Sequence, residues 1–219
     1  FENLLASYNP ETQTTARKQT GSFYTPREIV NYMVDESLLA YLQQKLEEKG
    51  HDNCEEQLRD LLSYTEQPHS FDEQQTDLLI QAIDDCKILD PACGSGAFPM
   101  GMLHKLVHVL HKLDPENKKW KEQQIVKVQN VIKRAETIPD AGVREKVIHD
   151  LRQTLQDIEE SFNTDNNELD YGRKLYLIEN CIYGVDIQPI AVQIAKLRFF
   201  ISLVIDQKKQ PAKENLGIR

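Results

Sequence analysis

The stretch Ile88-Leu89-Asp90-Pro91-Ala92-Cys93-Gly94-Ser95-Gly96-Ala97-Phe98 constrains this chain more than any other. An apolar run stops at an acid and a proline, two glycines follow one residue apart, and a helical pattern begins at once. A Gly-x-Gly turn after a strand lets backbone approach a ligand at a helix N-terminus, because glycine has no Cβ to clash. Turns of this kind belong to parallel α/β sheets, whose ligands lie beyond the carboxyl ends of the strands. In dinucleotide-binding loops a third glycine follows, but here Pro99 holds that position beside bulky Phe98. Asp90 ends the strand, so its carboxylate faces the ligand, where it repels phosphate and attracts a cation. A ligand with a positive amino group and no phosphate suits such a loop. S-adenosylmethionine carries an ammonium and a sulfonium and meets both conditions.

The remaining pattern is helices around two strands. Residues 1–22 are polar and Thr-rich and read as an arm. Thr25-Pro26-Arg27-Glu28 reads as a helix start, with Thr25 as cap, Pro26 at the first helical position and Glu28 completing a capping box. Ile29, Met33, Val34, Leu38, Tyr41 and Leu42 follow at helical spacing. A short helix around Leu58 to Leu62 and another over 71–85 precede a buried strand, Lys87-Ile88-Leu89. A helix runs from Ala97 to about Lys112. Beyond Asp114-Pro115, two stripes alternate at three and four residues: Ile125, Val128, Ile132 and Ala135, then Ile148, Leu151, Leu155, Ile158 and Phe162. Joined by a turn at Pro139-Asp140-Ala141-Gly142, they predict an antiparallel helical hairpin. Ile182-Tyr183-Gly184-Val185-Asp186 is the second strand. Pro189 opens a last helix with Ile190, Ile194, Leu197, Ile201 and Val204 on one face. The expected fold is therefore α/β, with a partial parallel sheet, a helical N-terminal region and a helical insertion. The expected divisions are an arm and helical region over 1–85, a core over 86–206 containing the insertion 114–170, and a connection over 207–219.

Asp186, at the tip of the second strand, can accept hydrogen bonds from both hydroxyls of a ribose. Apolar Ile187 beside it can pack on a base. The plainer role for a strand-end Asp is a helix cap. Cys93 looks nucleophilic in its loop, but no base stands beside it in sequence.

The net charge of −9 argues against this chain being the main nucleic-acid clamp. Arg17-Lys18, Lys118-Lys119-Trp120-Lys121 and Lys208-Lys209 read as solvated surface. Four cysteines without C-x-x-C spacing suggest reduced thiols in a cytoplasmic protein, not a zinc site. His104, His108 and His111 share a helix without supporting carboxylates or cysteines, so no metal is expected. No apolar run is long enough for a membrane span, and no secretory signal opens the chain. A start at Phe1 and a stop at Leu216-Gly217-Ile218-Arg219 read as a piece of a longer protein.

Three segments resemble landmarks of adenine-specific DNA methyltransferases, in the same order: Gly21-Ser22-Phe23-Tyr24-Thr25-Pro26, Leu89 to Phe98, and Ile182-Tyr183-Gly184-Val185-Asp186-Ile187. They are most similar to the type IIG, Eco57I-like group, in which methyltransferase and restriction nuclease share one polypeptide. The resemblance covers roughly residues 17–47, 86–112 and 172–206. It implies a Rossmann-like sheet, S-adenosylmethionine as cofactor and adenine in DNA as acceptor. It also implies that Phe23, Tyr24, Thr25 and Pro26 close over the methionine end, with Thr25 toward the cofactor carboxylate. Asp90 would bind the ammonium, and Pro91, Ala92, Cys93, Gly94, Ser95, Gly96 and Phe98 would form the cofactor loop. Asp186 would hold the ribose and Ile187 the adenine.

The family flips the target base and engages it with Asn-Pro-Pro-Tyr/Phe or Asp-Pro-Pro-Tyr. This sequence contains no such string, and Asn9-Pro10-Glu11 lacks the second proline and the aromatic. The expectation is a cofactor-binding part with no catalytic residue of its own, meeting DNA chiefly through regions outside it. Three alternatives stay open: an RNA or protein methyltransferase, a non-catalytic interaction module, and a nicotinamide enzyme, the last disfavoured by Asp90 and the missing third glycine. The sequence does not set the oligomeric state.

Overall fold

The computed structural model describes residues 25–162 and 168–207, with the backbone of two dipeptide strands, β1 (Tyr8–Asn9) and β2 (Thr14–Thr15), paired antiparallel. Then follow α1 (Arg27–Glu47), α2 (Glu55–Leu62), α3 (Glu73–Asp85), β3 (Ile88–Asp90), α4 (Ala97–Leu113), α5 (Lys118–Ala135), α6 (Ala141–Ser161), α7 (Leu169–Asn180), β4 (Ile182–Gly184) and α8 (Pro189–Val204). The described residues are mostly helical, around one two-stranded parallel sheet. None of the described helices is long and apolar enough to cross a membrane.

Helix α4 is the hub, touching α1, α2, α3, α7, α8 and both strands of the parallel sheet. Its approach to α1 is close because Gly101 has no side chain: a Cβ there would lie 2.9 Å from Val30 Cγ1 and 3.3 Å from Val34 Cγ2. That contact sets the inward face of α1. Val30, Val34, Leu38, Leu39, Leu42 and Leu46 are buried, whereas Ile29 and Met33, which open the helical apolar pattern, are exposed. The start of α1 also differs from expectation. Pro26 precedes the helix with extended backbone (φ −56°, ψ 146°), and no side chain caps it, so the capping box of Thr25 and Glu28 is not formed. The reciprocal capping box in the described residues is at α3, between Asp72 and Gln75.

Strands β3 and β4 pair in register, Ile88 with Ile182 and Asp90 with Gly184. The expected burial of the first strand holds for Ile88 alone; Leu89 is 63% exposed, as are Tyr183 and Val185 in part. Helix α8 departs similarly. Of the residues predicted to share one face, Ile190, Leu197, Ile201 and Val204 are exposed and Ile194 is half-buried, while Ala195, Ser202 and Leu203 are buried.

The hairpin of α5 and α6 forms as expected, with its two apolar stripes half-buried between the helices and Asp140 capping α6 through the Val143 amide (2.9 Å). Polar and aromatic contacts fix its root. Asp114 receives the Lys118 and Trp120 amides at 3.1 and 2.9 Å. The fully buried Arg173 of α7 donates to the Asp114 carbonyl and, at 2.8 Å, to Asp170, while Asn117 donates to the Leu169 carbonyl. The entrance and exit of the excursion are thereby tied together. Gln124 donates to buried Asp84 at 2.6 Å, and Lys127 pairs with the same carboxylate.

Candidate functional site

The ladder between β3 and β4 continues past both strands into the glycine loop. Val185 N donates to Asp90 O (2.9 Å), and Cys93 N donates to Val185 O (3.0 Å). The chain then turns tightly, with Gly96 N on Cys93 O at 2.8 Å, and enters α4. Asp90 and Asp186 therefore stand at the carboxyl ends of neighbouring parallel strands, on either side of one loop. The Cys93 thiol senses both: burial raises its pKa, and the carboxylates of Asp90 and Asp186 add to the rise.

Asp90 Oδ1 accepts the Ala92 amide at 3.1 Å. Asp186 is held from both sides: Oδ2 accepts the Gly94 amide at 2.9 Å, and Oδ1 accepts the Gln188 amide at 2.8 Å. The second bond closes a short turn ahead of α8, but the N-cap of that helix is Gln188 and no side chain caps it, so Asp186 is not the helix cap of the plainer reading. A carboxylate offers about four acceptor positions, and two are used here.

The two loop glycines differ. Both have left-handed backbone, Gly94 at φ +53° and Gly96 at φ +81°. Among the described residues a Cβ on Gly94 would meet nothing within 4 Å, whereas one on Gly96 would lie 3.0 Å from Ala195 Cβ. Gly94 is open among those residues; Gly96 is pressed against α8. Arg198 completes the support by donating to the Ser95 carbonyl at 2.9 Å. Neither Ala195 nor Arg198 was marked by any sequence motif; a small residue inside an apolar helix was the sole sign of close packing.

The N-terminus of α4 is poor in donors for a phosphate. Gly96 N is spent on Cys93 O, and Pro99 has no N–H, which leaves the amides of Ala97 and Phe98 in the first turn.

Among the other expected site residues, Pro91 and Ala92 are exposed, Ser95 is half-buried, and Phe98 packs partly against the core. Ile187 is 90% exposed beside Asp186. Thr25 and Pro26 are exposed ahead of α1, and Phe23 and Tyr24 lie outside the described residues. The histidines of α4 do not form a cluster: His108 bonds the Ser63 carbonyl and stacks on Tyr64. Among the described residues no group of three His, Cys, Asp or Glu side chains is placed to hold a metal ion. Two open troughs of about 520 and 480 Å³ lie elsewhere, between α3 and α5. Glu73 and Asp77 line both, Lys119 and Lys127 line the second alone, and neither shares a residue with the glycine loop.

All four cysteines are buried free thiols. Burial pushes Cys86 and Cys181 up to about 11 from an ordinary 9.0, and raises Cys54 as well. Between those values the unfolded chain has released thiol protons that the folded chain keeps, so stability falls as pH rises through that window. The urea midpoint is expected to be lower at about pH 10 than at about pH 8, and a thiol reagent at about pH 8 should modify the native protein far more slowly than the unfolded one. Equal midpoints would contradict the burial.

A tight loop over the ends of two parallel strands, flanked by two acids and poor in free amides at the start of α4, is the arrangement these residues form. The Eco57I restriction-modification methylase family matches residues 180–218, which include β4, Asp186 and the α8 residues that brace the loop. A protein of Methanocaldococcus jannaschii, named as a type II restriction enzyme and methyltransferase, is 25% identical over 197 residues. The match covers 86% of this chain and 12% of that relative, so the chain spans about an eighth of the relative's length. No solved structure matches. Together the two matches support assignment of the chain to the restriction-modification methyltransferases.

Proposed function

We propose that this chain is the cofactor-holding part of a DNA methyltransferase of a restriction-modification system, which transfers a methyl group from S-adenosylmethionine to the amino group of adenine. The observation that supports the proposal is that Asp90 and Asp186 follow two neighbouring parallel strands and that Asp186 reaches the amide of Gly94, whose Cβ position is open among the described residues. Asp90 holds the ammonium of the cofactor. Its Oδ2 has no bond among the described residues and is free to do so. The two unused acceptor positions of Asp186 take the ribose hydroxyls, and the adenine lies over Ile187. Gly94 lets the cofactor rest on backbone, while Gly96, Phe98, Cys93 and Ser95 give the loop its shape. Phe23, Tyr24, Thr25 and Pro26 close the methionine end.

The cofactor supplies an electrophilic methyl on its sulfonium. The residues of this chain bind and orient it and leave it facing the acceptor. No Asn-Pro-Pro-aromatic string occurs in the sequence, so the residues that receive the flipped adenine are supplied from outside these 219 residues, and the chain alone does not methylate DNA. In this proposal residues 1–85 form the covering arm and helical support, 86–206 the cofactor core with its insertion, and 207–219 a connection.

Calorimetry tests the proposal. S-adenosylmethionine is expected to bind and NAD to give no heat. Asp90→Asn should weaken binding at least about tenfold, the scale of one lost charge-assisted contact. A folded sample that binds neither ligand, or binds NAD more tightly, would overturn it.

A further inference from the structure

Beyond the ladder bond from Cys93 N to Val185 O, three contacts hold the glycine loop, and all come from the segment that follows β4: Asp186 on the Gly94 amide, Arg198 on the Ser95 carbonyl, and Ala195 against Gly96. Asp186 differs from the other two because it also belongs to the ligand cleft. Its Oδ2 reaches the amide of the one loop glycine whose outer face is open, while Oδ1 is fixed by the Gln188 amide. The Gln188 bond prevents the carboxylate from swinging away, so the Gly94 amide is met by an acceptor of fixed position. A peptide plane carrying φ +53° on a glycine is otherwise loosely restrained, since glycine explores both signs of φ at little cost.

We propose that Asp186 is a positioning residue as well as a ligand-binding one: in the absence of cofactor it latches the Gly94 peptide and sets the loop in its ligand-ready shape. The proposal rests on the cofactor reading above for its functional consequence, but the latch itself is a property of the free protein. Cofactor affinity then depends on Asp186 twice, once through the ribose and once through a loop that needs no ordering on binding. Asn cannot replace it. A carboxamide has one acceptor oxygen and one donor NH2, so in Asp186→Asn either the Gly94 or the Gln188 amide faces another donor.

The test uses the whole 219-residue chain, without ligand, by NMR. In Asp186→Asn, hydrogen exchange at the Gly94 amide should accelerate at least about tenfold, with the ladder amides of Ile88 and Val185 unchanged. Unchanged Gly94 exchange in the folded variant would overturn the latch. Should that variant not fold, the wild type gives the answer. Through-hydrogen-bond couplings should join the amide nitrogens of Gly94 and Gln188 to the carboxylate carbon of Asp186. Absence of the Gly94 coupling refutes the proposal. Calorimetry with S-adenosylmethionine keeps the two ideas apart. Accelerated Gly94 exchange with no cofactor binding by the wild type leaves the latch standing and sinks the cofactor reading. Lost cofactor binding in Asp186→Asn with Gly94 exchange unchanged leaves Asp186 acting on the ribose alone.

Discussion

Gly96→Ala should lower the stability of this chain by about 2–5 kcal/mol, with no ligand involved. The left-handed backbone at φ +81° costs a residue with a Cβ about 1–2 kcal/mol. The new methyl would also stand 3.0 Å from Ala195 Cβ and 3.4 Å from its Cα. Those atoms are the backbone and first carbon of α8 and have no rotamer by which to withdraw, so overpacking adds about 1–3 kcal/mol. Gly94→Ala makes the opposite case. It carries a similar backbone cost, but its methyl enters open space, so the fold should survive with a loss of about 1–2 kcal/mol. Its damage falls on the ligand, which loses close approach to the backbone, and binding of S-adenosylmethionine should weaken at least about tenfold. Urea denaturation and calorimetry on the two variants separate the roles. Equal stability losses, or intact binding by Gly94→Ala, would contradict the division.

The second large effect is expected at the root of the insertion. Trp120→Ala should cost about 3–5 kcal/mol, the scale for truncating a buried aromatic. Trp120 is fully buried and meets Tyr176 of α7 edge-on at 5.3 Å between ring centres. Its amide is bound by Asp114, whose carbonyl in turn receives buried Arg173. Loss of the indole therefore leaves a cavity where the excursion joins the core. A surface substitution on the outer part of the hairpin, such as Gln153→Ala on α6, should stay within about 0.5 kcal/mol, since α6 buries no residue. Thermal or urea unfolding of both variants is the check, and comparable small effects would mean that the hairpin is not anchored through Trp120.

What the sequence made legible follows from how narrowly physics limits each residue. The glycine loop could be read because left-handed backbone at two positions nearly demands glycine, and an acid at a strand end is placed by the strand itself. The hairpin could be read because two stripes at alternating three and four residues fit few other arrangements. The faces of α1 and α8 could not. Both helices carry apolar residues on several sides, so counting them does not choose the inward face. In α1 the choice is made by Gly101 on another helix, which admits Val30 and Val34 and turns Ile29 and Met33 outward. In α8 it is made by Gly96, whose approach requires small Ala195 inside and leaves Leu197 and Ile201 exposed.

Trp120 was hidden by its neighbours. Between three lysines it reads as solvated surface, yet Lys119 turns out to Asp77 at 2.7 Å while the indole turns in. Arg173 carried no signal either, because a buried guanidinium is recognisable only from the carbonyl and carboxylate that receive it. In the candidate site the identities of Asp90, Gly94, Gly96 and Asp186 were legible. The bond from Gly94 to Asp186 was not, since it joins residues 92 positions apart and depends on the register of two short strands.

The most direct test of the central claim is a crystal structure of the chain with S-adenosylhomocysteine. The expected result has the ribose hydroxyls within hydrogen-bond distance of Asp186, the amino group on the side of Asp90, and the ligand lying over the bare face of Gly94. A ligand bound away from these two acids, or one that leaves Gly94 uncovered, would contradict the account.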